Sequence, residues 1–181
     1  ALANAFIKLD ELDMALATYQ RAEELGTTGF DYELANLQGM RGDFEGMIDA
    51  YMALLSTKPN YLRTVQNSLN RNLRLTTTED NRELVRISLL RAIQAYPDNT
   101  VYPELLVWHF NQIRDFASSV THAKSLDLRL QEQGIRLMEL GNTAQANGDT
   151  DTALECYKYV AAKGPSNPYF FTARNEVLQV R

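Results

Sequence analysis

Asparagine recurs along this chain at an interval longer than any one helix. Asn4, Asn36 and Asn70 are followed by Trp108 and then Asn142, at intervals of 32, 34, 38 and 34 residues. A primary amide carries both a donor and an acceptor, so a row of them on one surface could grip the backbone of an extended peptide regardless of its side chains. A solvent-facing helical position also tolerates asparagine with nothing bound to it, and that reading stands beside the first.

Arginine adds charge to one part of the row. Arg63, Asn67, Asn70 and Arg74 follow at steps of four, three and four, with Arg71 alongside, and no acid occurs between Tyr61 and Thr78. Steps of three and four fall on one helix face. Guanidinium groups pair with carboxylates through a two-pronged fork, so the stripe could hold an acidic segment or the free carboxyl end of a partner. It could equally be a solvated face that offsets acids elsewhere in the chain. Residues 1–57 carry ten acids against three bases, residues 58–91 three against seven, and residues 92–181 ten against eight.

Catalytic chemistry has less to stand on. His109 and His122 are the only histidines, and no cysteine or carboxylate pair stands near them at a metal-ligand spacing. Asp115, Ser119 and His122 share a helix face, but nothing supplies an oxyanion hole or a substrate site. No glycine-rich phosphate loop is present. The expectation is a protein that is not an enzyme and uses no metal or small-molecule cofactor. Trp108, with Tyr102, His109 and Phe110, forms an aromatic group that reads either as core or as a pocket for a partner side chain.

The elements that must position these residues are helices. Phe44, Met47, Ile48, Tyr51, Leu54 and Leu55 recur at steps of three and four, as do Phe30, Leu34, Leu37 and Met40 before them. Between the two runs, Gly42 can take the left-handed conformation that ends one helix and Asp43 can cap the next. Pro59 stops the second helix. Gly42, Asp43, Tyr51 and Pro59 return as Gly148, Asp149, Tyr157 and Pro165, each 106 residues later. That distance fits three periods of about 35, the mark of a stacked-repeat architecture. The spacing predicts five helical hairpins, over 1–27, 28–60, 61–98, 99–132 and 133–166, and a partial sixth over 167–181. The third is lengthened by "LTTTED" at 75–80, whose threonines could cap the helix that follows.

This pattern resembles the tetratricopeptide repeat, a helical hairpin of about 34 residues. The resemblance rests on Leu140, Gly141, Gly148, Ala153, Tyr157 and Pro165 in the fifth hairpin and on Leu34, Ala35, Gly42, Tyr51 and Pro59 in the second. In the first it rests on Leu2, Ala3, Phe6, Ala15, Tyr19 and Ala22. It implies one all-α, right-handed superhelical domain whose concave groove binds a partner protein or peptide, with Asn4, Tyr32, Asn36, Arg63, Asn67, Asn70, Arg71, Arg74, Trp108 and Asn142 on the concave face. The carboxylate clamp of the chaperone-binding members is not matched, because Arg63 is followed one turn later by Asn67. The stretches "DYELANLQGMRGDF" and "AKSLDLRLQEQG" are also similar to large repeat proteins of the Bacteroidetes cell envelope, which implies an envelope or periplasmic setting. Helical-hairpin repeats of this length also read single-stranded RNA. Those proteins are usually basic, and the net charge of −5 here argues against nucleic acid as the partner.

Composition agrees with a folded chain: 45% of the 181 residues are hydrophobic and 23% charged. No apolar run approaches the length of a membrane span. A lone Cys156 makes no internal disulfide and leaves the compartment open. The opening "ALANAFIKL" reads as the inside of an amphipathic helix, which predicts a piece of a longer protein.

Overall fold

The computed structural model describes residues 2–73 and 78–180, and these residues are all-helical, with no strand among them. Their helices are α1 (Leu2–Lys8), α2 (Leu12–Glu24), α3 (Asp31–Met40), α4 (Phe44–Thr57), α5 (Leu62–Leu73), α6 (Glu79–Ala95), α7 (Val101–Gln112), α8 (Phe116–Leu130), α9 (Ile135–Ala146), α10 (Thr150–Ala161) and α11 (Phe170–Gln179). A single 3₁₀ turn, Pro59–Tyr61, leads into α5. Two compact units divide the chain, Ala1–Val101 and Tyr102–Arg181.

Turn chemistry explains where the helices stop and start. Gly42 (φ 84°) and Gly148 (φ 83°) occupy the left-handed region that costs a side-chain-bearing residue about 1 kcal/mol. The aspartate after each glycine caps the next helix: Asp43 Oδ1 accepts from Gly46 N–H at 2.9 Å, and Asp149 Oδ1 from Thr152 N–H at 3.0 Å. Asp115 does the same for Ser118 N–H at 3.1 Å, although Arg114, with φ 61°, stands where glycine stands in the other two turns. Lys58 (φ −131°, ψ 72°) and Tyr96 (φ −130°, ψ 67°) are driven out of the helical region by Pro59 and Pro97 after them. The threonine caps expected before α6 differ. Thr78 is the N-cap residue but its side chain makes no capping bond, while Thr76 and Thr77 lie outside the described residues. Asn81 Nδ2 instead donates to Leu73 C=O at 2.9 Å and ties the start of α6 back to the end of α5.

In the first unit, Ala3, Ala15, Tyr19 and Leu37 form a small core with Phe6, Leu16 and Phe30 packed around it. Met47, Ile48, Tyr51 and Leu55 of α4 are fully buried, which makes α4 the central helix of this unit. Burial of each such side chain contributes about 1.5–3 kcal/mol.

In the second unit, α9 and α10 approach so closely that a Cβ on Gly141 would lie 2.7 Å from Tyr157 Cε1. The joint between α8 and α9 passes through three left-handed residues, Gln131, Gln133 and Gly134. Asp127, only 1% exposed, holds it: its carboxylate accepts from Gly134 N–H, from Tyr159 O–H at 2.8 Å and from Lys163 Nζ at 2.6 Å. Burial pushes the Asp127 carboxyl up, but the bonds from Lys163, Tyr159 and Gly134 outweigh it and hold the group below the usual carboxylate range.

Candidate functional site

Helices α3, α4 and α5 bring three of the candidate residues together. Asn36 and Tyr32 lie one turn apart on α3, and the Asn36 amide N–H donates to the Tyr32 carbonyl at 3.0 Å, which fixes the amide's orientation. Its Oδ1 then faces α4 and α5. Tyr51 O–H donates to it at 2.9 Å, and Asn72 Nδ2 and Arg71 Nη2 approach at 3.4 and 3.5 Å. An amide oxygen has two lone pairs, so the short tyrosine bond dominates and the other two are weak contacts.

Tyr32 and Arg71 meet at Ser68. The Tyr32 and Ser68 hydroxyls share a hydrogen bond of 2.8 Å, and Arg71 Nη2 donates to Ser68 Oγ at 3.3 Å. The Tyr32 ring stacks on Tyr51 at 6.1 Å between centroids and meets Tyr61 at the same distance. These surroundings split the two phenols. Burial pushes Tyr51 up to about 12. Burial also pushes Tyr32 up, but its bonds with Ser68, Asn36 and the Arg71 guanidinium outweigh this and hold it below its ordinary value.

Arg71 itself is exposed, as are Arg63, Asn67 and Asn70 along α5. Only Nη2 of Arg71 makes the contacts above, so the guanidinium edge remains turned to solvent beside the neutral amide of Asn67 one turn away. The arrangement can accept a carboxylate at the arginine and offer amide donors and acceptors to a peptide backbone on either side. Arg74, the last residue of the expected stripe, lies outside the described residues.

The asparagines of the row share a partner that their spacing already contains. Tyr19 O–H donates to Asn4 Oδ1 at 3.2 Å, and Tyr157 O–H to Asn142 Oδ1 at 2.7 Å, as Tyr51 does to Asn36. Each tyrosine lies fifteen residues after its asparagine. The amide oxygen at these positions therefore joins the two helices of a pair, and the amide N–H₂ is what is left for a ligand. Tyr157 O–H also lies 2.9 Å from Gln145 Oε1, and its one proton serves one acceptor at a time. Asn4 and Asn142 are exposed and Asn36 half-buried. Ser68, Tyr51, Tyr61 and Asn72 were not among the expected site residues; the repeated fifteen-residue step from asparagine to tyrosine would have found Tyr51.

In the second unit, Tyr102, His109 and Phe110 are buried and Trp108 is half-buried. Phe110 stacks on His122 at 5.4 Å with 13° between the ring planes. Burial holds the His122 imidazole below its ordinary pKa, opposed by the Asp115 charge. Ser119 is buried and donates to the Val107 carbonyl at 3.3 Å, which binds α8 to α7 rather than preparing a nucleophile. Among the described residues no three histidine, cysteine or carboxylate side chains are grouped to hold a metal ion, and no helix is long and apolar enough to cross a membrane.

Comparison with protein-family models finds no match, and neither does comparison with the curated proteins.

Proposed function

We propose that the chain is a tetratricopeptide-like solenoid segment acting as a non-enzymatic scaffold, and that it binds an extended, acidic partner segment through the surface around Arg71. The observation that carries this reading is the anchoring of Arg71 at Ser68 and Asn36 while its remaining donors face solvent. An arginine whose rotamer is already restrained loses less entropy on pairing with a carboxylate than a free one does. Arg63 and Asn67 extend the same face of α5, and no acid lies on that helix to neutralise it. The net positive charge of residues 58–91 within an acidic chain supports the same choice of partner.

The test is a set of binding titrations of the wild-type chain and of Arg63→Glu/Arg71→Glu against an extended glutamate-rich peptide, at low and at physiological salt. Loss of binding in the double variant, with helical circular dichroism unchanged, is the expected result. Equal affinity of the two proteins would overturn the assignment. A random RNA pool run in parallel should show no binding; a steep, salt-sensitive affinity for it would point to the phosphate backbone instead.

A further inference from the structure

A second surface of the first unit is built for a different ligand. Helices α2, α3 and α4 enclose a cleft of about 470 Å³, within the size range of small-molecule sites. The three helices alternate in direction. Arg41 at the end of α3 pairs with Asp13 at the start of α2 at 2.9 Å, and Lys58 after α4 pairs with Asp31 at the start of α3 at 2.7 Å. Lining residues follow at steps of three and four on each helix, so they stack in layers along the cleft.

The layers differ in chemistry. At one end stand Glu23, Asp31 and Thr57; Leu34, Leu54 and Ala53 form the middle; Leu16 and Gln38 close the other end. From Asp31 to Gln38 is seven residues of one helix, a rise of about 10 Å. The acidic end also receives the carboxyl ends of α2 and α4 against the amino end of α3, so the helix dipoles add net negative potential there. Lys58 offsets Asp31, but both are roughly half exposed and such a pair is weak. Glu23 is exposed and makes no ion pair among the described residues.

Gln38 supplies the independent observation. Its Oε1 is shielded from solvent and has no hydrogen-bond partner. Leaving such an acceptor unmade costs about 1–3 kcal/mol. The amide's last torsion is soft, so a donor arriving at that end of the cleft lets it turn and recover the bond.

We infer that this cleft binds an elongated organic amine, with a cationic nitrogen at Glu23 and Asp31, an aliphatic body across Leu34 and Leu54, and an N–H donor at Gln38. The site is separate from the Arg71 surface and selects the opposite charge. A ligand of this class needs a nitrogen-to-nitrogen reach of about two helical turns, which excludes short diamines. An aliphatic carboxylate of the same length is excluded by charge.

The experiment is an amide chemical-shift titration of the full chain with octamethylenediamine, tetramethylenediamine and octanoate. Octamethylenediamine should bind with shifts confined to α2, α3 and α4. Tetramethylenediamine should bind at least about ten-fold more weakly, and octanoate not at all. Glu23→Gln should weaken the long diamine about ten-fold. Ala53→Phe, at an exposed position in the middle layer, should block it with the fold intact. Binding that is insensitive to chain length, or unmoved by both variants, or absent at millimolar ligand would overturn the assignment, as would equal binding of octanoate.

Discussion

Tyr51 O–H donates to Asn36 Oδ1 at 2.9 Å, from a ring that is fully buried to an amide that is half-buried. The same bond joins Tyr157 to Asn142, where the asparagine is exposed and can turn to water instead. Tyr51→Phe should therefore cost about 1–2 kcal/mol and Tyr157→Phe less than about 1 kcal/mol. Urea midpoints of the two variants measure this. An equal cost would show that solvent access to the asparagine does not set the value of the bond.

Two helical glycines separate a rigid close approach from a soft one. A Cβ at Gly141 would meet Tyr157 Cε1 at 2.7 Å and Cys156 Cβ at 3.1 Å, both on a tightly held neighbouring helix. At Gly39 the nearest atom is Met47 Sδ, the movable end of a flexible side chain. Alanine gains about 1 kcal/mol of helix propensity over glycine at either site. Overpacking costs about 1–3 kcal/mol. Gly141→Ala should come out destabilised by about 1–2 kcal/mol, and Gly39→Ala within about 0.5 kcal/mol of wild type. Thermal unfolding of the two variants decides, and a Gly39→Ala loss as large as that of Gly141→Ala would mean that Met47 cannot move.

The helix pairs were legible because their ends are written in single residues. Gly42 with Asp43, Gly148 with Asp149, and the prolines at 59 and 97 act through backbone rules that need no knowledge of the partner helix. Arg71 and Asn36 were legible as candidates from spacing, but their meeting through Ser68 was not, because it depends on how α3 and α5 lie across α4. The cleft at Glu23 and Gln38 gave no signal at all. Each of its helices contributes an ordinary three-layer stripe, and the chemistry appears only when three stripes face one another. The Tyr19, Tyr51 and Tyr157 bonds are an intermediate case, visible in the fifteen-residue step yet readable as ligand-binding asparagines until the acceptor is seen to be occupied.

Cys156 should be chemically silent in the folded protein. Burial, helped by the Glu155 and Asp149 charges and opposed by Lys124, pushes its thiol up to about 12, and the side chain has no exposed surface. At a pH of about 8 the thiolate is scarce, so a disulfide reagent should react on the order of a thousand-fold more slowly than with a free thiol. In urea the reaction should proceed at the full rate. Rapid labelling without denaturant would show that α10 opens locally.

Asp127 ties stability to pH. Its folded pKa lies below the unfolded one, so the stabilisation is complete above the unfolded value of about 4 and is lost as the pH falls through the folded value. Asp127→Asn removes the charge and leaves Lys163 without its partner. Lys163 keeps a quarter of its side-chain surface in water, so the loss should stay near 2–3 kcal/mol, at about pH 7, rather than reach the full cost of an orphaned buried charge. As wild-type Asp127 takes up its proton below about pH 4, its carboxyl comes to resemble the amide of the variant. The gap between the two urea midpoints should therefore narrow steadily with acidification. A gap that stays constant from neutral to acid would mean that geometry at Gly134 and Tyr159, and not the charge on Asp127, holds the joint between α8 and α9 together.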